Sequence, residues 1–533
     1  MKTIAGSAPK GRASVSRVKY DTDYCAGQDN VKIWGMDIHN PVFGISVGLI
    51  LLFIILTLVF PEGAKDVLTV ARNWSIENFD WLFMVGCNLF VVFCLALLVL
   101  PVGKIRIGGV DARPEFSTLS WFSMLFAAGM GIGLMFWSVA EPVAYYTDWY
   151  GTPLNAAPLT EQGKELALSA TMYHWGLHPW AIYAVVGLAL AFFAYNKGLP
   201  LTIRSVFYPI LGERCWGPIG NFIDILAVLA TIFGLATSLG LGAQQAAGGL
   251  SYLMGTENSI ELQIGFIVVV TLIAIISVSR GLDGGIKILS NMNMLLAVAL
   301  IALLIAIGPT LAIGDTIGTI VTGYADNFLP LSNWIGREDD TWFHGWTVFY
   351  WAWWVSWSPF VGMFIARVSK GRTVREFITA VLLVPTLLTV IWMGVMGGTA
   401  LDQVTHGVGE LSNGISDVSQ AMFQMFDNLP LTTLLSVMAI VLVLLFFVTS
   451  SDSGSLVIDS ITAGGKTDVP VAQRVLWASL EGVIAIALLL GGGSEALTAL
   501  QAGAITTGLP FTVVLIIMCW SLYRGLCTEK HLY

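Results

Sequence analysis

The chain has 533 residues, of which 56% are hydrophobic and only 11% charged, and its mean hydropathy is +0.77. A soluble domain carries about 25% charged residues, so this composition excludes an ordinary water-soluble fold. The net charge of −9 lies almost entirely outside the apolar runs, and no basic patch of the kind that binds nucleic acid is present.

Apolar runs of about 20 residues recur from Pro41 onward, each long enough to cross about 30 Å of hydrocarbon. Alternating ten-residue segments, the mark of a membrane barrel, are absent. The expected fold is therefore an all-α integral membrane protein. Twelve spans are predicted, at roughly 41–60, 81–101, 119–140, 167–194, 219–247, 261–278, 288–312, 344–368, 377–402, 431–451, 475–491 and 498–523. Residues 1–40 are polar and show no cleavable signal. The six cysteines (Cys25, Cys87, Cys94, Cys215, Cys519 and Cys527) form no CxxC pair and read as buried apolar thiols.

Positive charge accumulates on cytoplasmic loops, which tests the count. Lys2, Lys10, Arg12, Arg17, Lys19 and Lys32 precede span 1. Lys104, Arg106 and Arg113 follow span 2, and Lys197, Arg204 and Arg214 follow span 4. Arg280 and Lys287 follow span 6; Arg367, Lys370, Arg372 and Arg375 follow span 8; Lys466 and Arg474 follow span 10; Arg524 and Lys530 close the chain. Lys65, Arg72, Lys164 and Arg337 fall on the other side, so all but four of the 26 basic residues share one face. Both termini are accordingly expected in the cytoplasm.

Span 3 contains Ala127-Ala128-Gly129-Met130-Gly131-Ile132-Gly133-Leu134. Each glycine costs up to about 1 kcal/mol relative to Ala in a helix interior. The segment serves close helix packing or is unwound, with free N–H and C=O groups lining a cavity; the second reading is favoured. In span 4, Trp175, Trp180 and Tyr183 cover an arc of about 140° on an ideal helix. They line a cavity, re-aimed by Pro179, or serve packing and the aromatic belt, and both readings stand. His174 and His178 are four apart, but no acidic or Cys partner is near them in sequence, which disfavours a metal pair.

Residues 313–343 carry Ile317, Ile320, Val321, Tyr324 and Phe328 at helical spacing, the pattern of an amphipathic interfacial helix. Span 8 reads Phe349-Tyr350-Trp351-Ala352-Trp353-Trp354-Val355-Ser356-Trp357-Ser358-Pro359-Phe360. Phe349, Trp353 and Trp357 share one helix face, and Pro359 should break or kink the helix. Span 10 ends Phe446-Phe447-Val448-Thr449-Ser450-Ser451-Asp452-Ser453. Its hydroxyls bond the preceding turn or ligate an alkali cation, and the sequence alone does not choose.

Glu141, Asp224, Asp402, Asp452 and Glu481 lie in or near spans, none at the centre of span 3, 4 or 8. A carrier of bare cations would want a buried carboxylate there. Many aromatics without one suit a zwitterion with an onium head, each ring attracting it by about 1–2 kcal/mol when desolvated. Its carboxylate would be held by N–H groups of span 3. Spans 3 and 8 are five apart and both interrupted, the pattern of inverted repeats with substrate between them. The chain thus divides into a tail 1–40, two peripheral helices and a loop 41–118, a five-helix unit 119–312, the amphipathic segment 313–343, a second unit 344–523 and a tail 524–533.

Three stretches resemble the betaine/choline/carnitine transporter family, which has the LeuT-like fold: GMGIGLMFW with the following Glu141-Pro142, Trp175-Gly-Leu-His-Pro-Trp180, and FYWAWWVSWSPFVGMFIAR. The resemblance covers about residues 35–525. It implies a LeuT-like 5+5 inverted repeat with two additional N-terminal helices. It also implies an onium cage of Trp175, Trp180, Tyr183 and Trp354, a pathway formed with Trp357 and Phe349, and Trp353 near the inward path. Gly129, Met130, Gly131 and Gly133 complete the substrate site. The carbonyls of Ala127, Met130 and Phe446 and the hydroxyls of Thr449 and Ser450 match the family's main sodium site. Thr231 and Phe360 match a second sodium site, but Leu235 stands where a second threonine is needed.

The implied function is a sodium-coupled symporter for glycine betaine or dimethylsulfoniopropionate, in a homotrimer of a bacterial-type inner membrane. No cofactor is expected besides sodium as coupling ion. Proton-coupled choline carriers of the family have Asp where this chain has Gly133, which favours sodium coupling. The short segment after span 12 makes strong osmotic gating less expected than solute uptake. The alternatives are a sodium-independent choline or carnitine carrier or exchanger, and, in another class, a channel or sensor. No nucleophile–base or metal constellation suggests an enzyme.

Overall fold

The computed structural model describes residues 20–129, 131–279 and 286–529. Apart from one hairpin near its start, the described chain is helical. Strands β1 (Asn30–Ile33) and β2 (Met36–His39) pair antiparallel, Asn30 opposite His39. Trp34 and Gly35 both take positive φ, 50° and 75°, as a two-residue hairpin turn requires. Helices α1 (Val42–Val59) and α2 (Pro61–Val99) follow, with α2 leaving helical geometry only at Phe79. Next come α3 (Thr118–Gly129), α4 (Ile132–Tyr146), α5 (Glu161–Trp175), α6 (Leu177–Ala191), the single turn α7 (Tyr208–Leu211), α8 (Pro218–Met254) and α9 (Ile260–Ser279). The second half holds α10 (Ile286–Ile307), α11 (Thr310–Ser332), the short α12 (Asp340–Trp342), α13 (Phe349–Val368) and α14 (Val374–Thr405). It ends with α15 (Ala421–Asp427), α16 (Thr432–Thr462), α17 (Val471–Gly492) and α18 (Ala496–Cys527).

Among the described residues nine helical stretches are long and apolar enough to span a membrane, or ten if α10 and α11, bent by 116°, count together. The expected twelve is not reached on that criterion. α3 and α4 have 12 and 15 residues, each below the roughly 17 that a span needs, and α13 is rich in Trp, Ser and Pro. The apolar window of α5–α6 is 89% buried and that of α8 83%, against 33% for α1 and α9. These helices therefore form the centre and the rim. α13 packs against α6, α8 and α18, and α16 against α8 and α10.

Two local expectations meet different outcomes. α11 is a helix whose Ile320 is fully buried and whose Ile317, Tyr324 and Phe328 pack on the core, while Val321 is exposed. α13, by contrast, continues through Pro359 without a break. Proline removes the N–H that would bond the Val355 carbonyl, and Ser358 Oγ donates to that carbonyl at 2.7 Å instead. The irregularity lies earlier, in the π-helical turn Phe343–Val348.

Candidate functional site

Two interrupted helices meet at the centre. Between α3 and α4, Gly131 is extended (φ −167°, ψ −179°). Met130, expected in both the solute and sodium sites, lies outside the described residues. α5 and α6 part at Gly176 (φ −99°, ψ −125°), three residues before the Pro179 at which the sequence suggested a re-aiming. A Cβ at Gly176 would lie 2.7 Å from the Met172 carbonyl oxygen and 2.8 Å from the Tyr324 hydroxyl. The break releases backbone groups that side chains then satisfy. The Leu177 N–H donates to Tyr324 at 3.0 Å, and Trp354 Nε1 donates to the His174 carbonyl at 2.9 Å.

A cavity of about 480 Å³ opens beside both breaks. Gly131, Gly133 and Leu134 line it opposite Trp175, Trp180, Tyr183, Trp353, Trp354 and Trp357. The rings hold one another: Trp175 meets Trp354 edge-on at 4.8 Å, Trp180 meets Tyr183 edge-on at 5.3 Å, and Trp353 stacks on Trp354 at 4.8 Å. α8 anchors two of them, since Trp357 Nε1 donates to the Gly234 carbonyl at 3.0 Å and Trp353 Nε1 to Ser238 Oγ at 3.1 Å. Among the described residues no Asp, Glu, Lys or Arg lines the cavity. Gly133 is required by close approach: a Cβ there would fall 2.5 Å from Trp353 and 3.1 Å from Trp175.

Ala128 and Trp357 also line a second cavity, of about 740 Å³, bounded by Ala127, Asn293, Phe360, Phe446, Thr449 and Ser450 among others. Thr449 Oγ1 donates within its own helix, to the carbonyls of Leu445 at 3.0 Å or Phe446 at 3.2 Å, and accepts from Asn293 Nδ2 at 3.0 Å. The back-bonding reading of this hydroxyl is thus met, and one lone pair of Thr449 Oγ1 is left over. The donor set is all neutral oxygen, which suits a hard monovalent ion.

Two expected residues, Phe349 and Thr231, lie apart from these walls among the described residues. Phe349 is fully buried behind Trp353, stacked at 5.4 Å, and lines neither cavity. Gly129 ends α3. Thr231 is buried with its hydroxyl on the Ala227 carbonyl at 2.6 Å, whereas Phe360 lines the larger cavity. Leu235 packs against Gly454, where a Cβ would meet it at 2.3 Å.

Sequence reasoning assigned no role to Glu141 and saw no acidic partner for His174. The structure puts the Glu141 carboxylate 2.8 Å from His174 Nδ1 and 2.7 Å from Trp175 Nε1. His178 turns instead to Asn88, at 2.9 Å. The break at Gly176 falls between the two histidines, so their helical spacing does not apply. Among the described residues no three His, Cys, Asp or Glu side chains are grouped to hold a metal. An acidic residue inside an apolar stretch was the available signal.

A family model described as betaine/carnitine/choline family transporter matches residues 41–531. The chain is 63% identical to glycine betaine transporter 1 of Vibrio parahaemolyticus over 96% of its own length and 98% of that protein's. A glycine betaine/proline/choline/ectoine transporter of the same organism is 60% identical, covering 96% and 91%. A glycine betaine transporter of Bacillus subtilis is 41% identical, covering 92% and 95%. These relatives are transporters and not enzymes. With nine or ten spanning-length helices among its described residues, an aromatic cavity at its centre and matches along nearly its whole length, this multi-pass membrane protein belongs to the betaine/carnitine/choline transporter family.

Proposed function

We propose that the chain is a sodium-coupled symporter that imports a zwitterionic quaternary-ammonium or sulfonium compound, of the glycine betaine or dimethylsulfoniopropionate type, by alternating access. The observation that carries this reading is the aromatic cavity: six rings, no charged residue among the described lining, and an extended glycine opposite. The rings attract an onium head by about 1–2 kcal/mol each, while N–H groups near Gly131 receive its carboxylate. In the adjoining cavity the Ala127 and Phe446 carbonyls and the Thr449 and Ser450 hydroxyls form the sodium site. One sodium moving through 100 mV supplies about 2.3 kcal/mol, enough for concentrative uptake.

The same reading takes α3–α4 as one broken span and adds α10 and α13 to the nine, giving twelve. Spans 3–7 and 8–12 form the LeuT-like 5+5 repeat, with both termini on the cytoplasmic side of a bacterial inner membrane. The assembly is a homotrimer, with α11 contributing contacts. Uptake of labelled glycine betaine into proteoliposomes should accelerate under an inward sodium gradient; equal rates with and without it would end the coupling claim. The name of the 60%-identical relative also includes proline, choline and ectoine. Competition by each against labelled betaine, alongside dimethylsulfoniopropionate and carnitine, defines the solute.

A further inference from the structure

Glu141 is fully buried on α4, outside the cavity lining, and carries the densest side-chain hydrogen bonding around the cage. Its Oε1 faces the Tyr145 hydroxyl at 2.8 Å and His174 Nδ1 at 2.8 Å; its Oε2 faces Trp175 Nε1 at 2.7 Å and the Tyr350 hydroxyl at 2.5 Å. An indole N–H can only donate, and two carboxylate oxygens offer about four acceptor positions when ionised. The carboxyl group thus meets four polar partners on its two oxygens, and Trp175 among them can only donate. His174 Nε2 lies 2.9 Å from the Thr347 hydroxyl. With Nδ1–H directed at Glu141, that hydroxyl can donate to Nε2. The ion-pair partner of Glu141 is His174, 2.8 Å from Oε1, and among the described residues no lysine or arginine pairs with it.

The consequence falls on Trp175. Its indole stands between the carboxylate and the cavity, packed edge-on against Trp354. In a low-dielectric interior a charge-assisted hydrogen bond polarises its donor strongly. Electron density withdrawn from the N–H bond accumulates on the ring, and the ring face becomes a better partner for a cation.

We propose that Glu141 is a specificity-determining positioning residue: through Trp175 it gives the cage a negative potential, so that solutes with a cationic head are preferred over neutral ones of the same shape. The proposal rests on the onium-transport reading above and adds the origin of its charge selectivity. A carboxylate inside the cavity would pair with sodium directly; one held behind an indole favours a bulky onium without offering a ligand to a small ion.

The test uses an isosteric pair. Glycine betaine and 3,3-dimethylbutanoate share shape and carboxylate and differ only in nitrogen against carbon at the head. Binding of both to the purified full-length protein, with saturating sodium, is measured by calorimetry for the unsubstituted protein, Glu141→Gln and Glu141→Asp. The affinity ratio of betaine to the carbon isostere should fall about tenfold in the Gln variant, the worth of roughly one cation–π contact, and recover in the Asp variant. If both affinities drop together and the ratio holds, Glu141 is merely structural and the proposal fails. Should the Gln variant not purify as a monodisperse protein, Trp175→Phe keeps a ring that cannot donate, and an unchanged ratio there overturns the proposal equally. Absence of betaine binding by the unsubstituted protein would refute the transport reading itself, and this inference with it.

Discussion

At Gly133 a single methyl group would fall within 2.5 Å of Trp353 and 3.1 Å of Trp175. One indole would have to swing away, and overpacking of this kind costs about 1–3 kcal/mol. Gly133→Ala should therefore weaken glycine betaine binding by about tenfold or more, read by calorimetry, while the protein stays folded. An unchanged affinity would mean that the indoles yield without cost. Trp354, 5% exposed in the cage, and Trp34, 86% exposed in the hairpin turn, make a matched pair. Trp354→Ala should abolish most onium affinity and Trp34→Ala should leave it intact; similar losses would refute the cage. The tryptophans were legible in the sequence because four indoles within seven residues inside a span are costly without a ligand to serve. The Glu141 cluster was not, because it joins residues 4, 33, 34 and 209 positions apart and no local pattern encodes such a meeting.

The helix breaks show how differently one physical effect can be written. The α3–α4 break announces itself through three glycines at alternate positions. The α5–α6 break rests on one glycine, Gly176, and on a tyrosine from α11 that is distant in sequence, so it was hidden. Pro359 gave the opposite error, because the neighbouring Ser358 hydroxyl supplies the hydrogen bond that proline removes. Gly176→Ala would press a methyl group against the Met172 carbonyl and Tyr324. It should lower the thermal midpoint and uncouple α5 from α6, with Trp354 losing its acceptor. Tyr324→Phe tests the same junction more gently: the Leu177 N–H loses its partner, at a cost of about 1–3 kcal/mol, visible as faster amide exchange at Leu177. Exchange no faster than in the unsubstituted protein would show that the hydroxyl is dispensable.

On the scale of the whole molecule, the N-terminal hairpin ties together segments that the sequence places in separate units. Tyr24 and His39 bind Arg204 at 2.8 and 3.1 Å. Asp37 takes Lys466 Nζ at 2.6 Å and Asn30 Nδ2 at 2.9 Å, and its N–H reaches Gln473 at 3.1 Å. Burial pushes the Asp37 carboxyl up, but the hydrogen bonds from Lys466 and Asn30 outweigh it, and the group titrates below the usual carboxylate range. Its stabilisation is therefore complete above about pH 4 and is lost as pH falls through the lowered value. The thermal midpoint of Asp37→Asn should lie below that of the unsubstituted protein at about pH 6, and the gap should close towards about pH 3. A gap independent of pH would assign the effect to something other than the charge. The polar tail gave no hint of this hairpin, since its stability comes from distant partners in both helical units rather than from its own four-residue strands.

That tie also orders events during synthesis. The Asn30 side chain binds the Ala463 carbonyl, 433 residues further along. At about 5–20 residues per second, the hairpin leaves the ribosome roughly 20–90 s before its acceptor exists. The hairpin is thus made long before it can dock, and closes over helices already inserted in the bilayer.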